Sequence, residues 1–195
     1  MKKIIGLTGT TGSGKTTVSQ EFVRAGFHVI NCDIVAKYVV ENNDEVLSQL
    51  CDRFGADIIT NGVLDRRLLA SRAFADNDST QALNSITLPP IVNEILNEIN
   101  SCEKDNIVLD APTLFESGAN KLCTATLGVI CDDETRISRI INRDNITKEQ
   151  ALQRISAQKS NDFFKKNCTY IIENNSTVET LVKQTQTVIN TILKG

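Results

Sequence analysis

The chain holds a single histidine, His28, and no Cys-x-x-Cys pair. Six cysteines are present, at 32, 51, 102, 123, 131 and 168, and their scattered spacing excludes the usual pattern of a structural zinc site. An excess of positive charge is also missing: 21 Lys and Arg stand against 24 Asp and Glu, a formal net charge of -3. Bulk nucleic-acid binding favours a basic face, so no nucleic-acid partner is expected. No apolar run approaches the roughly 20 residues of a spanning helix, so no membrane partner is expected. The opening residues carry no signal-peptide pattern, and a chain of this size does not need a disulfide framework. Reduced, buried thiols in a cytoplasmic protein are the expectation. There is no internal repeat and no low-complexity tract.

What is present is ordinary globular composition, 41% apolar and 23% charged residues. The 195 residues suit one core domain carrying insertions. The run Lys3 to Thr8 reads as a strand that ends at a glycine-rich stretch. Val18, Phe22 and Val23 then recur at helical spacing until Gly26, a helix stop, and Phe27 to Ile30 reads as a second strand. Further strands are expected at Asn106 to Leu109, Thr126 to Cys131 and Tyr170 to Ile172. Val178, Leu181, Val182, Val188, Ile189, Ile192 and Leu193 share one face of a C-terminal helix. This order predicts an α/β fold with a parallel sheet flanked by helices.

About 70 residues separate the second and third strands, too many for a simple crossover. They read as a mostly helical insertion, with a turn at Asn61-Gly62, an N-cap at Asp65, and a helix opened by Pro89-Pro90 that carries Ile91, Ile95 and Ile99 on one side. A second, polar insertion is expected from 141 to 166.

Between the first strand and first helix lies Gly9-Thr10-Thr11-Gly12-Ser13-Gly14-Lys15-Thr16, which fits G-x-x-x-x-G-K-[ST]. Glycines let the backbone turn tightly and aim successive N–H groups inward, making an anion cradle. The helix that follows adds its dipole and unpaired N–H groups. Gly12, Ser13, Gly14, Lys15, Thr16 and Thr17 are therefore the expected ATP-binding residues. Lys15 serves the β- and γ-phosphates, and the Thr16 hydroxyl is a candidate Mg²⁺ ligand.

The loop selects a nucleoside triphosphate without choosing the reaction. Asp33, just past the second strand, is either the base that takes a proton from an acceptor hydroxyl or the N-cap of the next helix. Asp110, closing Ile107-Val108-Leu109, is either a Mg²⁺-holding acid of the Walker B kind or a loop cap. Arg139 and Arg143 share a helix face and are either phosphate-neutralising lid residues or solvated surface.

Further segments, taken together, resemble the dephospho-coenzyme A kinases. Ile5-Gly6-Leu7-Thr8-Gly9 runs into the loop as it does there, and Val29-Ile30-Asn31-Cys32-Asp33 stands where the family usually carries Asp-Ala-Asp. Asp110-Ala111-Pro112-Thr113-Leu114-Phe115-Glu116-Ser117-Gly118 resembles the family's Asp-x-Pro-Leu-Leu-Phe-Glu-x-Gly signature. Gly62 to Arg66 with Leu69, Arg143-Asp144 with Thr147, and Arg154-Ile155 with Gln158 follow in order. Three departures are visible: Thr10-Thr11 for Gly-Ile, Asn31 for the first acid, and Leu88-Pro89 for His-Pro.

The resemblance implies transfer of the ATP γ-phosphate to the ribose 3′-hydroxyl of dephospho-coenzyme A, with Asp33 as base, Lys15 and Thr16 serving ATP–Mg²⁺, and Arg143 acting from the lid. It implies acceptor contacts from Asp33, Arg66, Pro112 and Leu114. It also implies a P-loop nucleotide core (1–60, 104–140 and 167–195), a helical substrate domain (61–103) and a lid (141–166). A monomer or weak oligomer is expected. The nearest rival is another P-loop kinase, acting on a nucleoside, shikimate or a sugar acid. A GTP switch would need Asn-Lys-x-Asp, and Asn120-Lys121-Leu122-Cys123 ends in the wrong residue.

Overall fold

In a computed structural model, which describes residues 2–194, the first apolar run forms β1 (Lys3–Gly9), buried from Ile5 onward. A strand covered on both faces reads as a continuous apolar run, which is why Ile4-Ile5-Gly6-Leu7 shows no alternation. The glycine-rich loop leads into α1 (Lys15–Arg24), which ends before Gly26 at φ 89°. β2 (His28–Asn31) follows. Phe22 and Phe27 meet edge to face at 5.0 Å across that turn, closing α1 onto the strand.

The insertion is helical, as its composition predicts. Asn31 accepts from the Ile34 N–H and caps α2 (Cys32–Asn42); Asn43 does the same for α3 (Asp44–Phe54). A short hairpin, β3 (Ile59–Thr60) and β4 (Val63–Leu64), turns through Asn61 and Gly62, both at positive φ as a two-residue primed turn requires. Asp65 accepts from the Arg67 and Leu68 N–H groups and caps α4 (Arg66–Ala73), as expected.

Pro89-Pro90 does not open a helix. α5 runs unbroken from Asn77 to Ser101 with both prolines inside it. Proline removes an N–H and crowds the carbonyl four residues back, a penalty of about 3 kcal/mol in an isolated helix. Here α5 packs against α2, α3 and α4, and buries Thr87, Ile95 and Ile99. Tertiary packing outweighs the local preference.

β5 (Asn106–Asp110), β6 (Ala125–Ile130), α6 (Asp133–Asp144), α7 (Lys148–Ser156), α8 (Asn161–Asn167), β7 (Tyr170–Glu173) and α9 (Val178–Lys194) complete the order. The sheet runs β2-β5-β1-β6-β7, with β1 parallel to β5 and β6, and β6 parallel to β7. All five strands that the sequence predicts are therefore present. Leu7, Val18, Phe22, Val108, Leu127, Val129 and Leu181 lie in one core between the sheet and its helices α1 and α9. Each such side chain contributes about 1.5–3 kcal/mol of burial.

The chain divides into two compact units, one joining the residues up to Ile30 with those from Cys102 onward, the other Asn31–Ser101. Within the second unit α2 and α3 pack on α5.

Candidate active site

β1 delivers the chain to Gly9, whose backbone lies so near β6 that a Cβ would meet the Val129 carbonyl at 2.3 Å. The loop then turns back on itself, the Ser13 N–H donating to the Thr10 carbonyl at 3.1 Å. α1 begins at Gly14, which stands at φ 93° with no side chain capping the helix. An uncapped helix start behind a glycine turn leaves backbone donors facing a common point, the arrangement that holds phosphate.

The N–H groups converge only if the carbonyls diverge, and three successive carbonyls of the loop are each held from outside. Arg136 Nε donates to Thr11 O at 3.3 Å, Arg139 Nη1 to Gly12 O at 3.3 Å, and Asn174 Nδ2 to Ser13 O at 2.8 Å. Arg139 also donates to the carbonyl of Asn174 at 3.2 Å. Its guanidinium is thus part of the loop's support, and the solvated-surface alternative does not hold for it.

The loop borders a cavity of about 650 Å³. Gly9 to Gly12, Gly14, Lys15 and Thr16 form one side, and Pro112, Arg139, Asn142 and Arg143 the other. Lys15 Nζ donates to Asp110 Oδ1, so the loop cation and the acid closing β5 are in direct contact. Ser13 is fully buried and donates its N–H within the loop, while Thr17 donates its own to Gly14 O at 3.0 Å; neither lines the cavity. Leu114 is wholly buried beneath β1, where a Cβ on Gly6 would strike it at 2.6 Å. Its side chain packs against the strand at Gly6.

Arg143 is exposed at the cavity edge and forms a two-pronged pair with Asp144, at 2.7 and 2.9 Å; Arg154 of α7 joins the same carboxylate. The Arg143 hydrogen bonds hold the Asp144 carboxyl below the ordinary carboxylate range, helped by the charges of Arg143 and Arg154 and opposed by partial desolvation.

In the other unit, Asp33 lies in the first turn of α2, where the cap hydrogen bond is made by Asn31. It lines a cavity of about 440 Å³ with Lys37, Leu64, Arg66, Leu69 and Phe74. Arg66 is paired with Glu41 at 2.8 Å on the same unit. The sequence-predicted residues therefore fall into two groups: Lys15, Thr16, Pro112 and Arg143 on the phosphate-loop cavity with Asp110 against Lys15, and Asp33 with Arg66 on the helical unit's cavity.

The family model for dephospho-CoA kinase matches residues 3–180. The chain belongs to the dephospho-CoA kinase family. It is 38% identical to the dephospho-CoA kinase of Fusobacterium nucleatum, over 97% of this chain and 98% of that protein. It is 37% identical to that of Listeria innocua, over 97% and 96%. Among solved structures, TT1252 from Thermus thermophilus superposes with a TM-score of 0.84 at 31% identity, covering 97% of both chains.

Within this family member, no described group of three or more His, Cys, Asp or Glu side chains could hold a metal alone. A hydroxyl from Thr16 and a carboxylate from Asp110 are an all-oxygen pair. That suits Mg²⁺, which takes one or two protein ligands and completes its shell with nucleotide phosphates and water. No described helix is long and apolar enough to cross a membrane.

Proposed function

We propose that this chain transfers the γ-phosphate of ATP to the ribose 3′-hydroxyl of dephospho-coenzyme A, with Asp33 as base and Lys15 and Arg143 as the charge-neutralising groups. Family membership supports phosphorylation of dephospho-coenzyme A to coenzyme A, and with it a transferase that binds ATP. The observation that carries the reading is the phosphate loop itself, with Lys15 at its head and Arg143 across the same cavity.

The chemistry needs little from the protein beyond placement and charge. Backbone N–H groups at the start of α1 and the Lys15 ammonium bind the β- and γ-phosphate oxygens. Arg143 meets the charge that develops on the transferred group, and Arg139 keeps the loop in register. The acceptor 3′-oxygen forms a bond to the γ-phosphorus as the bond to the β,γ-bridging oxygen breaks. ADP leaves, and the hydroxyl proton passes to the Asp33 carboxylate. Thr16 and Asp110 would hold Mg²⁺, which when bound neutralises phosphate charge.

The cavity of the helical unit receives the acceptor. Leu64, Leu69 and Phe74 offer an apolar wall, while Lys37 and Arg66 offer cations for its phosphates. Pro112, on the phosphate-loop cavity, is a further proposed acceptor contact. All six cysteines are free, which supports a reducing compartment, the cytoplasm. The chain acts as a monomer or weak oligomer.

A coupled assay for ADP, run with dephospho-coenzyme A, adenosine and shikimate as alternative acceptors, tests the reading. Turnover is expected with dephospho-coenzyme A alone. Turnover of another acceptor with none of dephospho-coenzyme A would overturn it.

A further inference from the structure

Gln158 lies between α7 and α8, far from the phosphate loop in sequence, yet its amide makes two hydrogen bonds to a single loop residue. Gln158 Oε1 accepts from the Thr11 N–H at 3.0 Å, and Gln158 Nε2 faces the Thr11 hydroxyl at 2.8 Å. The same Oε1 accepts from Arg136 Nη2 at 3.0 Å. Two donors converge on that atom, which fixes the amide orientation: turned over, its NH₂ would face an N–H and a guanidinium.

Arg136 is only 3% exposed, and each part of its guanidinium is engaged. Nε donates to Thr11 O, Nη1 to Asp133 Oδ1 at 2.9 Å, and Nη2 to Gln158. A buried cation with all its partners in place is rigid, and removing one partner is disruptive. Thr11 thus has its N–H, its carbonyl and its hydroxyl all held by side chains from α6 and from the α7–α8 connection. The Thr11 N–H is thereby committed to Gln158, while its hydroxyl, which accepts from Gln158, keeps its own O–H to donate.

We infer that Gln158 is a positioning residue that pins the α7–α8 segment to the phosphate loop, with Arg136 as the buried hub, and thereby sets the loop's geometry for ATP. It acts through Thr11 and touches neither substrate. The segment that carries Arg154 toward Asp144 and Arg143 is the same segment that Gln158 anchors to the loop. The loop is thus linked to the arginine cluster from two sides, through Gln158 on the α7–α8 segment and through Arg136 and Arg139 on α6. This inference rests on reading the loop as the ATP site, and not on the identity of the acceptor.

Equilibrium ATP binding without acceptor separates the two, with thermal melting run alongside. If the unsubstituted protein binds no ATP, the reading of the loop fails first. Given binding, Gln158→Ala is expected to weaken ATP about tenfold, the scale of losing hydrogen bonds in a charged network. Gln158→Glu keeps both acceptor contacts and lets the Thr11 hydroxyl donate, so it is expected to return affinity to within about threefold of the unsubstituted protein. In turnover, Gln158→Ala should raise KM for ATP while leaving KM for the acceptor within about twofold, a split that general loosening of the fold would not give. If Gln158→Ala does not fold, Thr11→Val removes only the hydroxyl contact and should weaken ATP about threefold. Unchanged ATP affinity in Gln158→Ala, or in Thr11→Val, would overturn the inference. So would a Gln158→Glu variant as weak as Gln158→Ala.

Discussion

Lys15 Nζ donates to Asp110 Oδ1, so the cation of the phosphate loop is tied to the acid that closes the neighbouring strand β5. The parallel register sets this up, since Leu7 of β1 stands opposite Asp110 just before the loop begins. Both side chains are largely withdrawn from solvent, at 19% and 9% exposure, so neither charge is well screened by water. Under the proposed function the same carboxylate would also hold Mg²⁺.

Asp110→Asn keeps the shape and removes the charge. The variant is expected to need about tenfold more Mg²⁺ for half-maximal turnover, the lower end for losing a metal-site partner. A Mg²⁺ titration of initial rates reads this directly, and an unchanged midpoint would show that Asp110 serves Lys15 alone.

Asp33→Asn separates binding from chemistry. ATP affinity should stay within about twofold, while turnover falls by at least about 10²-fold, the lower range for general-base catalysis. Single-turnover measurement with saturating substrates gives the chemical step without product release. Turnover equal to that of the unsubstituted protein would refute the base assignment.

Gly14→Ala tests the loop's backbone. At φ 93° an added Cβ would meet Asn174 Nδ2 at 2.6 Å and Leu181 at 3.1 Å. The left-handed backbone alone costs about 1–2 kcal/mol for an L-residue. Urea denaturation should show at least that loss, and ATP binding should fall with it because Asn174 loses its hold on the Ser13 carbonyl. Unaltered stability would mean that the loop relaxes freely.

Two half-buried thiols set an alkaline limit. Burial pushes Cys123 up to about 12 and Cys168 up to about 11, against 9.0 for an ordinary thiol. Above pH 9 the unfolded chain releases these protons while the folded one keeps them, so unfolding becomes more favourable as pH rises. Stability is expected to be untouched by these groups below about pH 9 and to decline from there toward about pH 12. Native-state alkylation at pH 8, followed by peptide mapping, should leave both unlabelled; rapid labelling of either would contradict the burial argument.

Much of the site was legible because its chemistry is local. The loop's spacing, the acid after β2 and the acid ending β5 each sit in a short segment with a recognisable strand or helix beside it. The supports were not legible for the opposite reason. Arg136 and Asn174 reach loop carbonyls from elements more than a hundred residues away, and Gln158, though it stands in a segment that resembles the family, carries no sign in sequence of its contact with Thr11. Pro89-Pro90 misled because a local rule about helix starts was set against packing on α2, α3 and α4, which only the folded unit supplies.

The central claim is that the γ-phosphate of ATP moves to one hydroxyl of one acceptor. The most direct test is incubation with ATP labelled at the γ-phosphorus and dephospho-coenzyme A, then isolation of the labelled product and assignment of its phosphate by NMR. Label on the ribose 3′-oxygen is the predicted result. Label recovered only as inorganic phosphate, or on any other position of the acceptor, would contradict it.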